Sequence, residues 1–247
     1  MAYLIPSSSD MPMTLNMPIY IINYKNEEKR TRMLNRFKLF NIDPIITKSV
    51  EENDERLVHT PIEHRRIWSV MLQHMDSIND FYYDHAQCDR CIVCEDDVHI
   101  SRDFINDVKY LTEQFVALEL DILLMGYLLP YNINMETQIH QHYFPITKKT
   151  DKFVFHEYPQ DIWGCQMYMI SRKYAKYLLD TYTLEYAYQN MGKNPYNPDW
   201  IITKNGKKSL IVPMIAVEEG QNQSTNRDQI DYHTRCFQLN YDEQKYI

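Results

Sequence analysis

The chain has 247 residues, of which 44% are hydrophobic, so it can form one large domain or two small ones with a sizeable core. Its formal net charge of −8, with no long basic block, argues against nucleic acid as the main partner and against a polybasic membrane anchor. The longest apolar runs fall far short of the roughly 18 residues that a membrane span needs. Residues 1–10 lack the basic start and apolar middle of a signal peptide, so we expect a cytoplasmic protein.

Strands and helices are predicted to alternate after a flexible arm over residues 1–17, which is rich in Pro, Ser and Met. Apolar runs predict strands at 18–24, 44–47, 91–94, 121–127, 153–158, 164–170 and 209–217. Helical spacing and capping residues predict helices after Asn26, over 61–83, after Ser101 at 103–118, after Ser171 to 182, and one or two turns at 200–204. This order predicts a single α/β domain over 18–247 with a mostly parallel sheet flanked by helices.

Two segments show no clear pattern. Residues 128–150 are polar and aromatic without clean periodicity, which predicts a long irregular insertion. Long loops in compact domains are often functional, and such a loop can close over a site. Residues 218–228 predict a polar loop, and the tail that follows has no clear periodicity.

Three consecutive acids, Glu95, Asp96 and Asp97, directly follow the apolar run at 91–94. Strand interiors disfavour Asp, so the acids should lie where the strand ends, which in open α/β sheets is where ligands bind. Alternation along an extended chain places Glu95 and Asp97 on one face and Asp96 on the other. Two converging carboxylates suit Mg²⁺ or Mn²⁺, and the alternative is a solvated acidic turn.

The cysteines and glycines argue against two other kinds of site. Cys88, Cys91 and Cys94 are spaced three apart, but alternation sends Cys91 and Cys94 to opposite faces, and Cys165 and Cys236 are distant in sequence. We therefore interpret the five cysteines as free thiols rather than zinc ligands. With only 5 Gly, the chain has no Gly-rich phosphate loop of either common type.

Four blocks follow one another along the chain: Tyr-Ile-Ile-Asn at 20–23 with Arg30 and Arg32 downstream, Glu-His-Arg-Arg-Ile-Trp at 63–68, Val-Cys-Glu-Asp-Asp-Val at 93–98, and the strand and helix of 164–179. In this order they resemble the blocks of glycosyltransferase family 25, which includes lipooligosaccharide and procollagen galactosyltransferases. The third block is similar to the family's Leu-Glu-Asp-Asp-Val core and is the most specific. In the second block, Glu63 stands where the family has Ser. The chain thus resembles this family loosely over 18–225.

The resemblance implies a GT-A-like, Rossmann-type fold and a transferase that uses a nucleotide sugar. We expect transfer of a hexose or N-acetylhexosamine from a UDP-sugar to a glycan or glycoprotein acceptor, with Mn²⁺ or Mg²⁺ as cofactor. Glu95 and Asp97 occupy the outer positions of the Asp-x-Asp-like metal motif. The family commonly has Gln where Glu218 stands, so either Glu218 or Gln221 completes the metal site, or neither does.

Five residues are expected to bind the nucleotide sugar, because they fall in the matching blocks: Asn23, Arg30, Arg32, His64 and Asp96. Each has a structural alternative. Asn23 could simply end a strand, Arg30 and Arg32 could be exposed helix charges, and His64 could be a structural histidine near a helix start.

An inverting reaction needs a carboxylate to deprotonate the acceptor hydroxyl. Asp199 is the first candidate, and its structural alternative is a helix N-cap. Asp161 is the second candidate, and it lies close to Trp163, whose ring could stack on a sugar or simply pack. In a retaining reaction this role weakens. We expect the insertion and residues 161–163 to form the acceptor side.

Two other functions remain open. One is another metal-dependent enzyme of nucleotides or phosphate esters, although the phosphatase motif Asp-x-Asp-x-Thr is absent from the sequence. The other is a non-catalytic carbohydrate-binding protein on the same fold, against which the intact pair Glu95 and Asp97 argues.

Overall fold

The computed structural model describes residues 15–131, 144–160, 162–220 and 226–247. The strands in these ranges are β1 (Ile19–Ile22), β2 (Ile45–Ile46), β3 (Arg90–Glu95), β4 (Val98–Ile100), β5 (Ile122–Leu128), β6 (Ile146–Lys149), β7 (Val154–Glu157), β8 (Trp163–Ser171), β9 (Lys208–Val212) and β10 (Ala216–Glu218). The helices are α1 (Glu27–Lys38), α2 (Ile62–Asp84), α3 (Phe104–Ala117), α4 (Arg172–Thr181), α5 (Leu184–Gln189), α6 (Pro198–Ile201) and α7 (Arg227–Asn240), with a 3-10 turn at Glu55–Leu57.

Eight strands form one mixed sheet in the order β2-β1-β3-β8-β5-β9-β7-β6, and β4 pairs with β10 in a separate two-stranded antiparallel ribbon. Only β7 and β8 run against the direction shared by the other six strands of the large sheet. The predicted α/β class, with a mixed and mostly parallel sheet flanked by helices, is confirmed.

The alternation of side chains along β3 explains the three-layer packing. Cys91 and Val93 lie in the core cluster that contains the buried residues of α2 and α4, whereas Ile92 and Cys94 lie in the cluster that contains those of α1 and α3. Burying one apolar side chain stabilises the fold by about 1.5–3 kcal/mol, so a strand that is apolar on both sides is held between two helical layers. The same alternation directs Glu95 towards α2.

Several predicted helix starts are correct because local capping chemistry determines them. The Asn26 side chain accepts a hydrogen bond from the Lys29 backbone N–H, and Ser171 accepts one from that of Tyr174. The prediction of Ser101 as an N-cap was wrong. Asp103 is the N-cap of α3. The Ser101 hydroxyl oxygen accepts a hydrogen bond from the backbone N–H of Asp103, just before the helix begins.

The C-terminal part differs most from the sequence prediction. The apolar run at 209–217 is divided by a cis Val212–Pro213 bond into β9 and β10, which belong to different sheets. The tail without clear periodicity contains α7, which begins at the capping residue Asn226 and buries Cys236. Part of the predicted irregular insertion is the exposed strand β6, whose polar sequence hides its pairing with β7. Residues 132–143 of the insertion lie outside the described residues.

None of the helices in the described ranges combines the length and hydrophobicity that a bilayer crossing requires.

Candidate active site

The acids and Asn23 meet because β1 and β3 are parallel neighbours. Ile22 pairs with Glu95 across the two strands, so the residues that follow both strands emerge at the same edge of the sheet. There the Asn23 side-chain amide donates hydrogen bonds to Asp96 Oδ2 at 2.5 Å and to the backbone oxygen of Asn26 at 2.8 Å. Asn23 is almost fully buried, so its side chain connects the end of β1 to the acidic motif.

The ribbon of β4 and β10 brings a fourth carboxylate to this edge. Glu218 pairs with Val98, and the backbone N–H of Glu219 donates to the backbone oxygen of Asp97 at 2.7 Å. The Glu218 side chain then lies close enough to Asp97 for repulsion between the two carboxylates to raise the pKa of Glu218, after the larger effect of burial.

Asp199 is the fifth acidic residue at the site. It lies in the first turn of α6, where Asn197 is the N-cap, so the capping alternative for Asp199 does not hold. The Cys165 thiol and the Gly164 backbone N–H donate hydrogen bonds to its carboxylate, which lowers its pKa, but burial has the larger effect and the net shift is upward.

We call these five side chains the carboxylate cluster: Glu95, Asp96, Asp97, Asp199 and Glu218. The pKa of Glu95 is raised well above its usual range by burial, followed by repulsion from the other four members. Burial and the charge of Asp97 raise the pKa of Asp96 to about 6. Crowding of this kind disfavours the ionised forms, so a cation among them would be stabilising.

The basic side chains of Lys29 and His233 contact the cluster. Lys29 Nζ lies 2.8 Å from Asp97 Oδ2 and 3.9 Å from Asp96 Oδ1. His233 Nδ1 on α7 lies 2.6 Å from Glu218 Oε2. The second oxygen of Asp97, Oδ1, is buried and has no hydrogen-bond partner among the described residues. The cluster therefore has an oxygen that could bind a cation.

The contacts of Lys29 change one detail of the sequence prediction. Alternation placed Asp96 on the opposite face from Asp97, yet both carboxylates lie within 4 Å of the same ammonium group. The reason is that β3 ends at Glu95, and Asp96 and Asp97 form the bend before β4, where strand periodicity no longer applies.

Sequence reasoning missed His74, which lies behind Glu95 in the interior. His74 is fully buried on α2, its Nδ1 is 2.9 Å from the Tyr168 hydroxyl, and its Nε2 is 3.8 Å from Glu95 Oε1. Burial lowers the pKa of His74 to about 3, so the imidazole is neutral. Its position within the apolar stripe of α2, between Met71 and Met75, was a signal that could have identified a buried histidine.

Asn23 and Arg30 line one cavity beside the cluster, with a volume of about 410 Å³, which we call the Asn23 cavity. Its other basic residues are Lys25 and Lys48, so it is rich in positive charge next to the acidic edge. Arg30 Nη1 also contacts Glu27 at 3.2 Å on the same helix.

Arg32 has a different environment from Arg30. Its Nη2 donates to Glu219 Oε2 at 2.7 Å and its Nη1 donates to Glu28 Oε1 at 2.8 Å. Arg36 Nη1 donates to the other oxygen of Glu219 at 2.8 Å. The guanidinium of Arg32 thus binds a buried carboxylate of the protein, and Arg32 is not among the residues that line the Asn23 cavity.

His64 lines another cavity, of about 370 Å³, together with Trp68, Tyr196 and Asn197. Its ring stacks on Trp68 with 6.3 Å between the centroids. His64 therefore lies at the start of α2 as predicted, but the structure does not bring it into the cavity that Asn23 and Arg30 line.

The predicted acceptor side is partly described. Asp161 and Gln221 lie outside the described residues. The Trp163 ring is 37% exposed and lies 6.4 Å from that of Trp200, and Lys204 Nζ lies 5.5 Å from the centre of the Trp163 ring. These rings occupy the two segments that carry Cys165 and Asp199.

The model of glycosyltransferase family 25 (LPS biosynthesis protein) matches residues 62–191, which is 130 of the 247 residues and so more than half of the chain. The match includes the acidic motif, but Asn23, Asp199 and Glu218 lie outside it. No curated protein matches this chain. Among solved structures, the crystal structure of mannose-1-phosphate geranyltransferase from Thermus thermophilus is similar with a TM-score of 0.41 and 11% identity, over 79% of this chain and 73% of that chain. The chain belongs to glycosyltransferase family 25 and is a glycosyltransferase.

Proposed function

We propose that this glycosyltransferase is metal-dependent and moves a hexose or N-acetylhexosamine from a UDP-sugar to a glycan or glycoprotein acceptor. The observation that carries the proposal is the carboxylate cluster, in which five acids lie together and Asp97 Oδ1 has no hydrogen-bond partner among the described residues. A cation among these carboxylates would relieve their mutual repulsion and reduce their repulsion of a diphosphate.

The donor atoms fit a hard divalent cation. Glu95, Asp97 and Glu218 offer carboxylate oxygens, which Mg²⁺ and Mn²⁺ prefer over nitrogen or sulfur. We assign the cation to these three residues. Once bound, it would neutralise the charge that develops on the leaving nucleotide diphosphate. His233, which contacts Glu218, would fix the orientation of that carboxylate as the neighbour of a metal ligand.

The Asn23 cavity supports the assignment of the nucleotide. Its basic side chains suit a phosphate or ribose, and the carboxylate of Asp96, held by Asn23, faces the same edge. Lys29 contacts both Asp96 and Asp97, so it would link the nucleotide side to the cation ligands.

We expect replacement of Arg30 to weaken nucleotide binding and replacement of Arg32 to reduce stability. Arg30→Ala should raise the Kd for UDP about tenfold, since the loss of one charge-assisted hydrogen bond costs about 1.5 kcal/mol. The stability of the Arg30→Ala variant should not change, because the Arg30 side chain pairs only with the exposed Glu27 among the described residues. Arg32→Ala should lower the thermal midpoint and leave UDP affinity in the remaining folded protein unchanged. Calorimetric titration measures the affinity of each variant for UDP, and thermal unfolding measures its stability. Weaker UDP binding in Arg32→Ala together with unchanged UDP binding in Arg30→Ala would contradict the assignment of Arg30 to the nucleotide.

On the acceptor side, Asp199 would accept the proton of the attacking hydroxyl if the reaction inverts the anomeric centre. Burial raises the pKa of its carboxyl above the ordinary value, which makes the carboxylate a better proton acceptor near neutral pH. The neighbouring Trp163 would stack on the face of the acceptor sugar. In a retaining reaction, Asp199 would position the acceptor instead.

Trp163→Ala should raise the KM for the acceptor about tenfold, which corresponds to about 1.4 kcal/mol of lost stacking. Hydrolysis of the donor in the absence of acceptor should be unaffected, because Trp163 does not line the Asn23 cavity, which we assign to the nucleotide. Steady-state kinetics of transfer and of donor hydrolysis measure the two effects. Equal losses in both reactions would place Trp163 on the donor side.

A panel of nucleotide sugars tests the proposed function. With Mn²⁺ present, one UDP-sugar should raise the thermal midpoint and release UDP, chelation should abolish both effects, and Mn²⁺ should restore them. Turnover of phosphate esters or free nucleotides, without any sugar transfer, would favour another metal-dependent enzyme. Sugar binding that needs no metal and gives no turnover would favour a carbohydrate-binding protein.

A further inference from the structure

Three different donor groups meet on the interior side of the carboxylate cluster: the imidazole of His74, the thiol of Cys165 and the carboxylate of Glu95. One ligand atom from each lies within 4.8 Å of the other two. Glu95 Oε1 is 3.8 Å from His74 Nε2 and 3.7 Å from Cys165 Sγ. His74 and Cys165 are fully buried, and the Glu95 side chain is 27% exposed.

His74 Nε2 points towards this meeting point and has no hydrogen-bond partner among the described residues. A buried polar atom without a partner destabilises the fold, so a ligand bound to this nitrogen would remove that cost. The other ring nitrogen is held by the Tyr168 hydroxyl, which fixes the ring orientation as in many metal-binding histidines.

The spacing suits a small tetrahedral cation. Bonds of about 2.0–2.3 Å to nitrogen, oxygen and sulfur, at tetrahedral angles, place neighbouring ligand atoms about 3.3–3.6 Å apart. The two distances from Glu95 Oε1, of 3.7 and 3.8 Å, need to close by only a few tenths of an ångström, and the ligand atoms of His74 and Cys165 lie within 4.8 Å of each other. Nitrogen and sulfur are poor ligands for Mg²⁺ but good ligands for Zn²⁺, so this set differs in kind from the oxygen ligands above it.

We propose that His74, Glu95 and Cys165 form a second metal site, which binds a borderline divalent cation of the Zn²⁺ class. The three protein ligands leave the fourth position of a tetrahedral cation to water. On binding, the thiol releases its proton to solvent, and the thiolate, the neutral imidazole and the Glu95 carboxylate each donate an electron pair to the cation. Because Glu95 is shared, occupation of this site removes it from the hard-cation site. That inhibitory consequence rests on the proposed function, whereas the binding itself does not.

Co²⁺, a spectroscopic substitute for Zn²⁺, tests the site directly in the full chain without any donor or acceptor. One equivalent should produce a thiolate-to-cobalt charge-transfer band and the visible spectrum of a tetrahedral centre, and Zn²⁺ should remove both. Cys165→Ser should abolish the charge-transfer band. His74→Gln should weaken Co²⁺ binding at least about tenfold. The matched control is Cys91→Ser, which changes an equally buried cysteine of β3 outside the triad and should keep the wild-type spectrum.

The wild-type protein alone can overturn the proposal, whether or not the variants fold. No charge-transfer band at saturating Co²⁺, or a band that survives in folded Cys165→Ser, would exclude the site. Zn²⁺ should also lower Mn²⁺-dependent transfer in the wild type, and Cys165→Ser should relieve that inhibition. If the band appears while every nucleotide sugar fails to react, the second site stands and the proposed function fails.

Discussion

Replacing Asp97 with Ala is expected to abolish Mn²⁺-dependent donor binding and to lower kcat/KM for transfer about a thousandfold. Asp97 Oδ1 is the buried oxygen of the carboxylate cluster that has no hydrogen-bond partner among the described residues, so it is the ligand most clearly open to a cation. A carboxylate is a strong ligand for a hard cation and water is a weak replacement. Losing about 4 kcal/mol of transition-state stabilisation corresponds to three factors of ten in rate.

Asp96→Ala is the matched control, because it removes the adjacent carboxylate from the same bend. Asp96 Oδ2 accepts a hydrogen bond from the Asn23 side-chain amide. Loss of the Asp96 carboxylate should therefore weaken activity without removing the dependence on metal. Titration with Mn²⁺, followed by calorimetry and by initial rates, separates the two variants. If Asp97→Ala keeps full metal-dependent turnover, the assignment of the cation ligands fails.

Both variants should fold. Each relieves repulsion among crowded carboxylates, and in each Lys29 keeps one of its two acidic neighbours. A loss of activity in Asp97→Ala with an unchanged unfolding midpoint would therefore report on the site rather than on the fold.

Local chemistry allowed the sequence to predict the acidic edge. A buried apolar run that ends in Glu95, Asp96 and Asp97 specifies a strand and its terminus, and Asn26 and Ser171 mark two helix starts by side-chain capping. These features depend on residues within a few positions of one another. The two-residue period failed only beyond Glu95, where the backbone leaves the strand.

Contacts between distant segments could not be read from the sequence. Arg32 has the spacing of an exposed helix residue, and its ion pair with Glu219 joins positions that are 187 residues apart. The sequence prediction left the tail that contains α7 without a helix, and only packing against the β10 region shows why His233 faces Glu218. His74 and Cys165 likewise converge only because α2 packs against β3, and the start of the antiparallel strand β8 lies beside the end of β3.

Glu219→Ala is expected to give the largest loss of stability among single substitutions at this edge, about 3 kcal/mol. The Glu219 side chain is 6% exposed and holds two guanidinium groups, with Arg32 Nη2 at 2.7 Å and Arg36 Nη1 at 2.8 Å. Arg36 is 13% exposed. Among the described residues it would keep only neutral partners, which are the backbone oxygen of Val98, the ring of His99 and the sulfur of Met33. A buried charge without its counter-ion accounts for most of the cost.

Urea denaturation and thermal unfolding measure this effect, and for a chain of this length about 3 kcal/mol lowers the midpoint by about 6–12 °C. Glu28→Ala is the matched control, because it removes the exposed carboxylate that contacts the same Arg32 and should leave the free energy of unfolding almost unchanged. Glu219→Met should recover little, since a methionine fills the volume but leaves both guanidinium groups without a carboxylate. An unfolding free energy of Glu219→Ala within about 1 kcal/mol of the wild type would show that solvent, rather than Glu219, balances the charge of Arg36.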